Sequence, residues 1–100
     1  MRHNKDETHW ALVDIRPRRS RHVFRIEGDG DLLLCDDRTA KTHHLSGPSC
    51  EVWNALDGKS SLEDVARRLT QLFDVDYPDA LDDVEHLVAK FEELGLLEVT

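Results

Sequence analysis

Histidines, cysteines and carboxylates are the side chains of this sequence whose types suit metal binding or acid–base chemistry. His43 and His44 are adjacent in a segment with strand character, so they are expected to point to opposite faces and not to chelate one metal together. No nucleophile is paired with a base in a recognisable motif, and no set of ligands has the spacing of a metal site. The sequence therefore predicts no catalytic residues, no metal site and no cofactor.

Four carboxylates crowd the stretch in which a long amphipathic pattern begins: Asp79, Asp82, Asp83 and Glu85. At the start of a helix they favour the positive end of its dipole, which explains them without catalysis. They also give one end of that helix a negative surface that suits a basic side chain of a bound peptide. Both interpretations remain open.

The overall charge and the cysteines limit the possible partners and compartments. A net charge of −8 repels phosphate backbones and anionic membranes, so nucleic acid and membrane binding are disfavoured. Cys35 and Cys50 are far from any CxxC spacing and are predicted to be buried thiols in a reducing compartment. No stretch is apolar enough to span a bilayer, and the polar start lacks the apolar run of a signal peptide. We therefore expect a cytoplasmic protein.

The one dense basic cluster surrounds Pro17 and consists of Arg16, Arg18, Arg19 and Arg21. It is interpreted either as a solvated linker or as a polybasic arm that meets an acidic partner. Residues 10–15 (WALVDI) have strand character, whereas residues 1–9 are polar. We accordingly predict a flexible or partly strand-like N-terminal arm over residues 1–21 and one folded domain over residues 22–100.

The first half of that domain has the pattern of strands. His22 to Glu27 alternates in polarity, GDGD at 28–31 is a strong turn signal, and Leu32 to Cys35 resumes an apolar run, which together predict a β-hairpin. After a turn at 36–38, Thr39 to Leu45 is predicted to be a third strand. Because it carries few large apolar groups, we expect it at an edge of the sheet.

Three helices are predicted in the second half. The first begins at Ser46 and Pro48, ends at Asp57-Gly58 and has Trp53 on its inward face with Val52 and Leu56. A capping box of Ser60 and Glu63 opens the second, whose apolar face is Leu62, Val65, Ala66, Leu69, Leu72 and Phe73. The third lies in the stretch from Asp79 to Leu97, with Pro78 suited to its first turn and Gly95 to its end. Its apolar stripe is Leu81, Val84, Leu87, Val88, Phe91 and Leu94.

This order of elements predicts an α+β fold, with a three-stranded antiparallel sheet followed by three helices on one side of it. A compact three-helix unit beside a hairpin has the outline of a winged helix-turn-helix.

Residues 45–97, together with the strands from about His22, resemble the PqqD-like peptide chaperones, also called RiPP recognition elements. The matching features are Leu45 before a helix start, Val52-Trp53 before Leu56-Asp57-Gly58, the second helix over Leu62 to Leu69, the loop at 73–76, and Asp83-Val84 leading to the LGLL sequence at 94–97. Ser46 stands where the family often has Asn, a change of one helix cap for another.

The resemblance implies a non-catalytic module that binds the leader segment of a ribosomally made precursor peptide and presents it to a modifying enzyme, often a radical SAM protein. In this family the leader adds as a strand to the third strand and lies against the third helix. Carried over by position, the docking strand is Lys41, Thr42, His43, His44 and Leu45, and the helix candidates are Asp83, Leu87 and Lys90. An exposed edge strand beside an amphipathic helix suits such strand addition.

Two other functions stay open. A winged-helix DNA-binding regulator would place the second or third helix in a major groove and the arginine cluster on phosphates, although the third helix is strongly acidic. A small scaffold that joins two enzymes without binding peptide is the other. The sequence allows either a monomer or a homodimer, because a bare edge strand pairs as easily with a second copy as with a peptide.

Overall fold

The computed structural model describes residues 15–98. In this part of the chain three strands form an antiparallel sheet and three helices follow, so the predicted α+β fold is confirmed. The elements are β1 (Arg18–Arg19), β2 (Val23–Glu27), β3 (Asp31–Asp36), β4 (Lys41–Ser46), α1 (Pro48–Ala55), α2 (Leu62–Leu72), α3 (Tyr77–Glu93) and β5 (Leu97–Glu98). No helix among these residues has the length and apolar character needed to cross a membrane.

The main sheet has the order β2-β3-β4, which places the predicted third strand at an edge. Leu32 and Leu34 of the central strand are buried beneath the helices. On the opposite face of the sheet, Phe24 and Ile26 are about half exposed, at 55% and 52%. The helices therefore cover one face of the sheet only.

The core joins this sheet to all three helices. Val52, Trp53 and Leu56 are buried as predicted, and the Trp53 ring meets the Phe91 ring edge-on at a centroid distance of 5.3 Å. Pro48 occupies the first turn of α1, where its missing N–H costs no hydrogen bond. The predicted cap is wrong, because Ser46 is the last residue of β4 and Gly47, with a φ of 61°, precedes the helix.

The capping box of α2 lies one residue later than predicted. The Ser61 hydroxyl accepts the Asp64 N–H at 3.1 Å, and the Asp64 carboxylate accepts the Ser61 N–H at 3.0 Å. Ser60 is used differently, since its N–H donates to Asp57 at 2.8 Å. Leu72, which the periodicity placed on the apolar face, is 51% exposed at the end of the helix.

The third helix starts at Tyr77, one residue before the predicted first turn at Pro78, and its regular part ends at Glu93. Val84, Val88 and Phe91 are buried as predicted together with Ala80, whereas Leu81 and Leu87 are half-buried. The helix closes with a Schellman motif, in which the N–H groups of Gly95 and Leu96 donate to the carbonyls of Glu92 and Phe91. Gly95 takes the left-handed conformation that this motif requires, with a φ of 76°.

The arginine cluster is tied to the domain, so its interpretation as a solvated linker is wrong for the described residues. Arg18 and Arg19 form β1, which pairs with β5 near the other end of the chain. Arg18 contacts Glu98 at 2.6 Å, and Arg19 donates to the carbonyl of Asn54 at the end of α1 at 2.7 Å. Arg21 also approaches Glu98, at 3.8 Å. The predicted strand over residues 10–15 lies outside the described residues except for Ile15, which belongs to no strand.

The two cysteines are free thiols, but the prediction that they are buried is wrong. Cys35 on β3 and Cys50 on α1 are both only half-buried. Cys35 lies on the side of the sheet that the helices leave uncovered, because its neighbours Leu34 and Asp36 occupy the covered side. Partial burial raises the pKa of the Cys50 thiol, which favours its protonated form.

Candidate functional site

The backbone hydrogen bonds of β2 and β3 determine which groups of β4 face outward. At the two ends of that hairpin, the Asp37 N–H donates to the His22 carbonyl and the Gly28 N–H donates to the Asp31 carbonyl. Hydrogen-bonded pairs alternate along an antiparallel ladder, so Leu33 and Cys35 also direct their backbone groups toward β2. The intervening residues of β3 therefore direct theirs toward β4.

The same alternation continues across β4. Leu32, Leu34 and Asp36 are registered with three β4 residues, which use their backbone groups within the sheet: Leu45, His43 and Lys41. The backbone N–H and carbonyl groups of Thr42 and His44 therefore point away from the sheet. They form a short open edge with two donors and two acceptors, as strand addition requires.

The side chains of β4 divide between the two faces of the sheet. His43 and Leu45 are half-buried on the helix side, opposite the buried Leu34 and Leu32. Thr42 and His44 are exposed on the other side, as the period of two predicts for adjacent histidines. The His44 ring approaches the Asp31 carboxylate at 2.7 Å. Within residues 15–98, no three histidine, cysteine or acidic side chains converge as a metal site.

The helix candidates share one strip of α3. Asp83, Leu87 and Lys90 are spaced by four and three residues, and each immediately precedes a residue of the buried stripe. This strip therefore runs along one border of the helix's buried face. Leu87 is half-buried, whereas Asp83 and Lys90 are exposed. The structure brings the three residues together, and their role in peptide binding stays a prediction.

Leu94 continues this strip, a role that the sequence analysis missed. It follows Leu87 by seven residues and is 38% exposed, although the periodicity placed it in the core stripe. The sequence does contain a signal for this position. Seven residues are almost two helical turns, so Leu94 lies on the same side of the helix as Leu87 and not on that of the buried Phe91. The strip thus consists of two charged and two apolar side chains.

Arg38, in the turn between β3 and β4, was also missed. Its guanidinium donates to both carboxylate oxygens of Asp36, at 3.3 and 3.2 Å, and to the carbonyl of Gly95 at 2.7 Å. The Asp36 carboxylate also accepts the Arg38 backbone N–H at 2.9 Å. These hydrogen bonds from Arg38 hold the pKa of Asp36 below its ordinary value, while the Asp36 carboxylate raises the pKa of Arg38.

One open depression on α3 lies apart from the docking strand. Its volume is about 480 Å³, and it is lined by His86, Ala89, Lys90, Glu92 and Glu93. It contains Lys90 but no residue of β4, and most of its lining belongs to the exposed side of the helix. We therefore do not assign the candidate site to this depression.

A family model described as coenzyme PQQ synthesis protein D (PqqD) matches residues 31–97, which is more than half of the chain. The chain belongs to the PqqD family. The match begins at β3 and ends in β5, so it includes β4, the three helices and every residue of the candidate site. No curated protein matches this chain.

Several solved structures share the fold of this PqqD-family chain. A lasso peptide synthetase B1 complexed with the leader peptide is 25% identical, with a TM-score of 0.75 over 83% of this chain and 98% of that one. TbiB1 in complex with the TbiA(beta) leader peptide is 20% identical, with a TM-score of 0.75 over 81% and 94% of the two chains. The heterocyclase TruD is 17% identical, with a TM-score of 0.60 over 86% of this chain and 12% of its own.

Proposed function

We propose that this chain binds the leader segment of a ribosomally made precursor peptide by adding it as a strand to β4. The observation that carries the proposal is the open edge at Thr42 and His44, whose backbone groups point away from the sheet. Two structures of similar fold are themselves complexes with leader peptides, which supports the same role here. In this proposal the docking strand is Lys41, Thr42, His43, His44 and Leu45.

The helix strip forms the second wall of the proposed site. We define the β4–α3 groove as the space between residues 41–45 and the strip of Asp83, Leu87, Lys90 and Leu94. Leader side chains that point toward the helices would meet Leu87 and Leu94, while Asp83 and Lys90 would select their charge. Backbone hydrogen bonds would supply affinity and these side chains would supply specificity.

The proposed role is non-catalytic and cytoplasmic, and the bound leader would be presented to a separate modifying enzyme. A radical SAM enzyme is one such partner, and we propose a monomer or a homodimer as the binding unit. We do not favour DNA binding, because Arg18, Arg19 and Arg21 are engaged with Glu98 and with the end of α1. The net charge of −8 also repels phosphate backbones.

Calorimetric titration tests this function. The probes are synthetic leader segments and core segments of short precursor-like open reading frames encoded beside the gene, at moderate salt. Saturable one-to-one binding of one leader, without binding of the matching core segment, is the expected result. Strand addition should weaken only modestly when the salt is raised, whereas DNA binding falls steeply. A folded protein that binds none of the leaders would overturn the proposal.

A further inference from the structure

Arg38 links the turn before β4 to the backbone that follows the helix strip. The residue lies three positions before Lys41, the first residue of β4, and its guanidinium reaches the carbonyl of Gly95, one position after Leu94. The turn that leads into the docking strand is thereby held against the residue that follows the helix strip. The contact lies at the end of the groove where the strand begins and the helix finishes.

The contacts of Arg38 are well suited to fix the distance between the turn before β4 and the end of α3. Asp36 is almost fully covered, with 3% of its surface exposed, and both of its carboxylate oxygens accept from the planar guanidinium. The Nε and Nη2 atoms of Arg38 are thus held on Asp36, the last residue of β3, and Nη2 also donates to the Gly95 carbonyl. The Schellman motif holds the Gly95 backbone in turn.

We propose that Arg38 is a positioning residue that sets the spacing between β4 and α3 for leader binding. This inference rests on the proposed function, because it assigns Arg38 a role in the same groove. The turn at 37–40 is exposed and carries Ala40 at a φ of 60°. Without the bond to Gly95, this turn and the start of β4 would move relative to the helix, and a leader would have to order them on binding.

The substitution Arg38→Lys separates the positive charge of this side chain from its ability to contact Asp36 and Gly95 together. Arg38→Lys keeps a positive charge for the covered Asp36, but one ammonium cannot reproduce the fork that contacts Asp36 and Gly95 together. The domain should therefore remain folded while the spacing of the groove becomes variable. The matched control is Arg25→Lys, because Arg25 lies on β2, at the other edge of the sheet, and contacts Asn54 and Glu27.

Hydrogen exchange and leader titration test this role together. In Arg38→Lys we expect faster exchange over residues 37–45 and 92–96, unchanged exchange in α2, and about a three- to tenfold weaker leader affinity. Bound leader should restore slow exchange in the first two segments, since it then joins the two walls itself. Arg25→Lys should match the unmodified protein in both measurements.

Three results would overturn the inference, and they are distinguishable. Arg38→Lys with unchanged exchange and unchanged leader affinity would show that Arg38 does not position the groove, while the proposed function would stand. Faster exchange that extends into α2 would assign Arg38 to overall stability alone. If the unmodified protein binds none of the leaders, the proposed function fails and this inference fails with it.

Discussion

The hydroxyl of Ser49 donates to the carbonyl of Ser46 at 2.6 Å and accepts the Ser46 N–H at 3.2 Å. These contacts close the last outward-facing backbone groups of β4, and α1 begins immediately afterwards. The open part of the edge is therefore confined to Thr42 and His44. A peptide added to this edge would therefore pair with the backbone groups of Thr42 and His44.

Leu94 should contribute to leader affinity although it contributes little to the core. Leu94→Ser removes apolar surface from the helix strip, and we expect about a three- to tenfold weaker leader affinity. The matched control is Leu72→Ser, since Leu72 is also an exposed leucine at a helix end but lies on α2. Calorimetry measures the affinities, and thermal unfolding checks that both variants fold. Equal leader affinities for the two variants would remove Leu94 from the groove.

Asp83 should select the charge of the leader. Asp83→Lys should weaken a basic leader and strengthen an acidic one, each by about two- to fivefold, because exposed charge pairs are worth less than about 1 kcal/mol. Asp82→Lys is the control, since Asp82 is the exposed neighbouring carboxylate outside the strip. The measurement is the affinity of each variant for one basic and one acidic leader. If neither leader distinguishes the two variants, Asp83 acts only on the helix dipole.

Acid should destabilise the fold through four carboxylates whose pKa values are lowered. The causes are hydrogen bonds from Arg38 to Asp36, from the Lys59 N–H to Asp57, from the Ser61 N–H to Asp64, and from Arg18 to Glu98. A lowered folded-state pKa means that the unfolded chain binds protons more readily. The stabilisation is therefore complete above the unfolded pKa of about 4 and is lost as the pH falls through the lower folded values.

Thermal unfolding between pH 7 and pH 2 measures this effect. We expect a midpoint temperature that is nearly constant down to about pH 5 and falls below about pH 4. Asp57→Asn should lower the midpoint at pH 7 and reduce its fall in acid, because the variant has no carboxylate to protonate. Asp74→Asn, a change in the exposed loop before α3, is the comparison. A midpoint for Asp57→Asn with the same pH dependence as the unmodified protein would contradict the assignment.

The sequence predicted the fold well because its strong signals are local. The turn at 28–31, Pro48 and Gly95 each specify a backbone conformation, and the observed elements begin and end near them. The capping box was displaced by one residue because Asp57 competes for the Ser60 N–H, a contact outside the four-residue motif.

The sequence pattern does not predict the long-range contacts. Arg18 and Glu98 are 80 positions apart in the sequence, and nothing in their spacing indicates a contact of 2.6 Å. The sequence alone therefore predicts a linker or a polybasic arm for the arginine cluster. Periodicity likewise treats Leu87, Val88 and Leu94 as one stripe, although packing buries only Val88. The strip was therefore predicted only in part.

Strand addition places the leader on the backbone of β4, and titration of one leader into four variants tests this docking. His44→Pro removes an outward N–H from this edge, His44→Ala removes the side chain alone, and Arg25→Pro removes an outward N–H from the opposite edge on β2. We expect at least about tenfold weaker binding for His44→Pro, with near-unchanged binding for the other two. Thr42→Pro should behave as His44→Pro does. Unchanged affinity in both β4 proline variants, with the fold intact, would contradict strand addition at this edge.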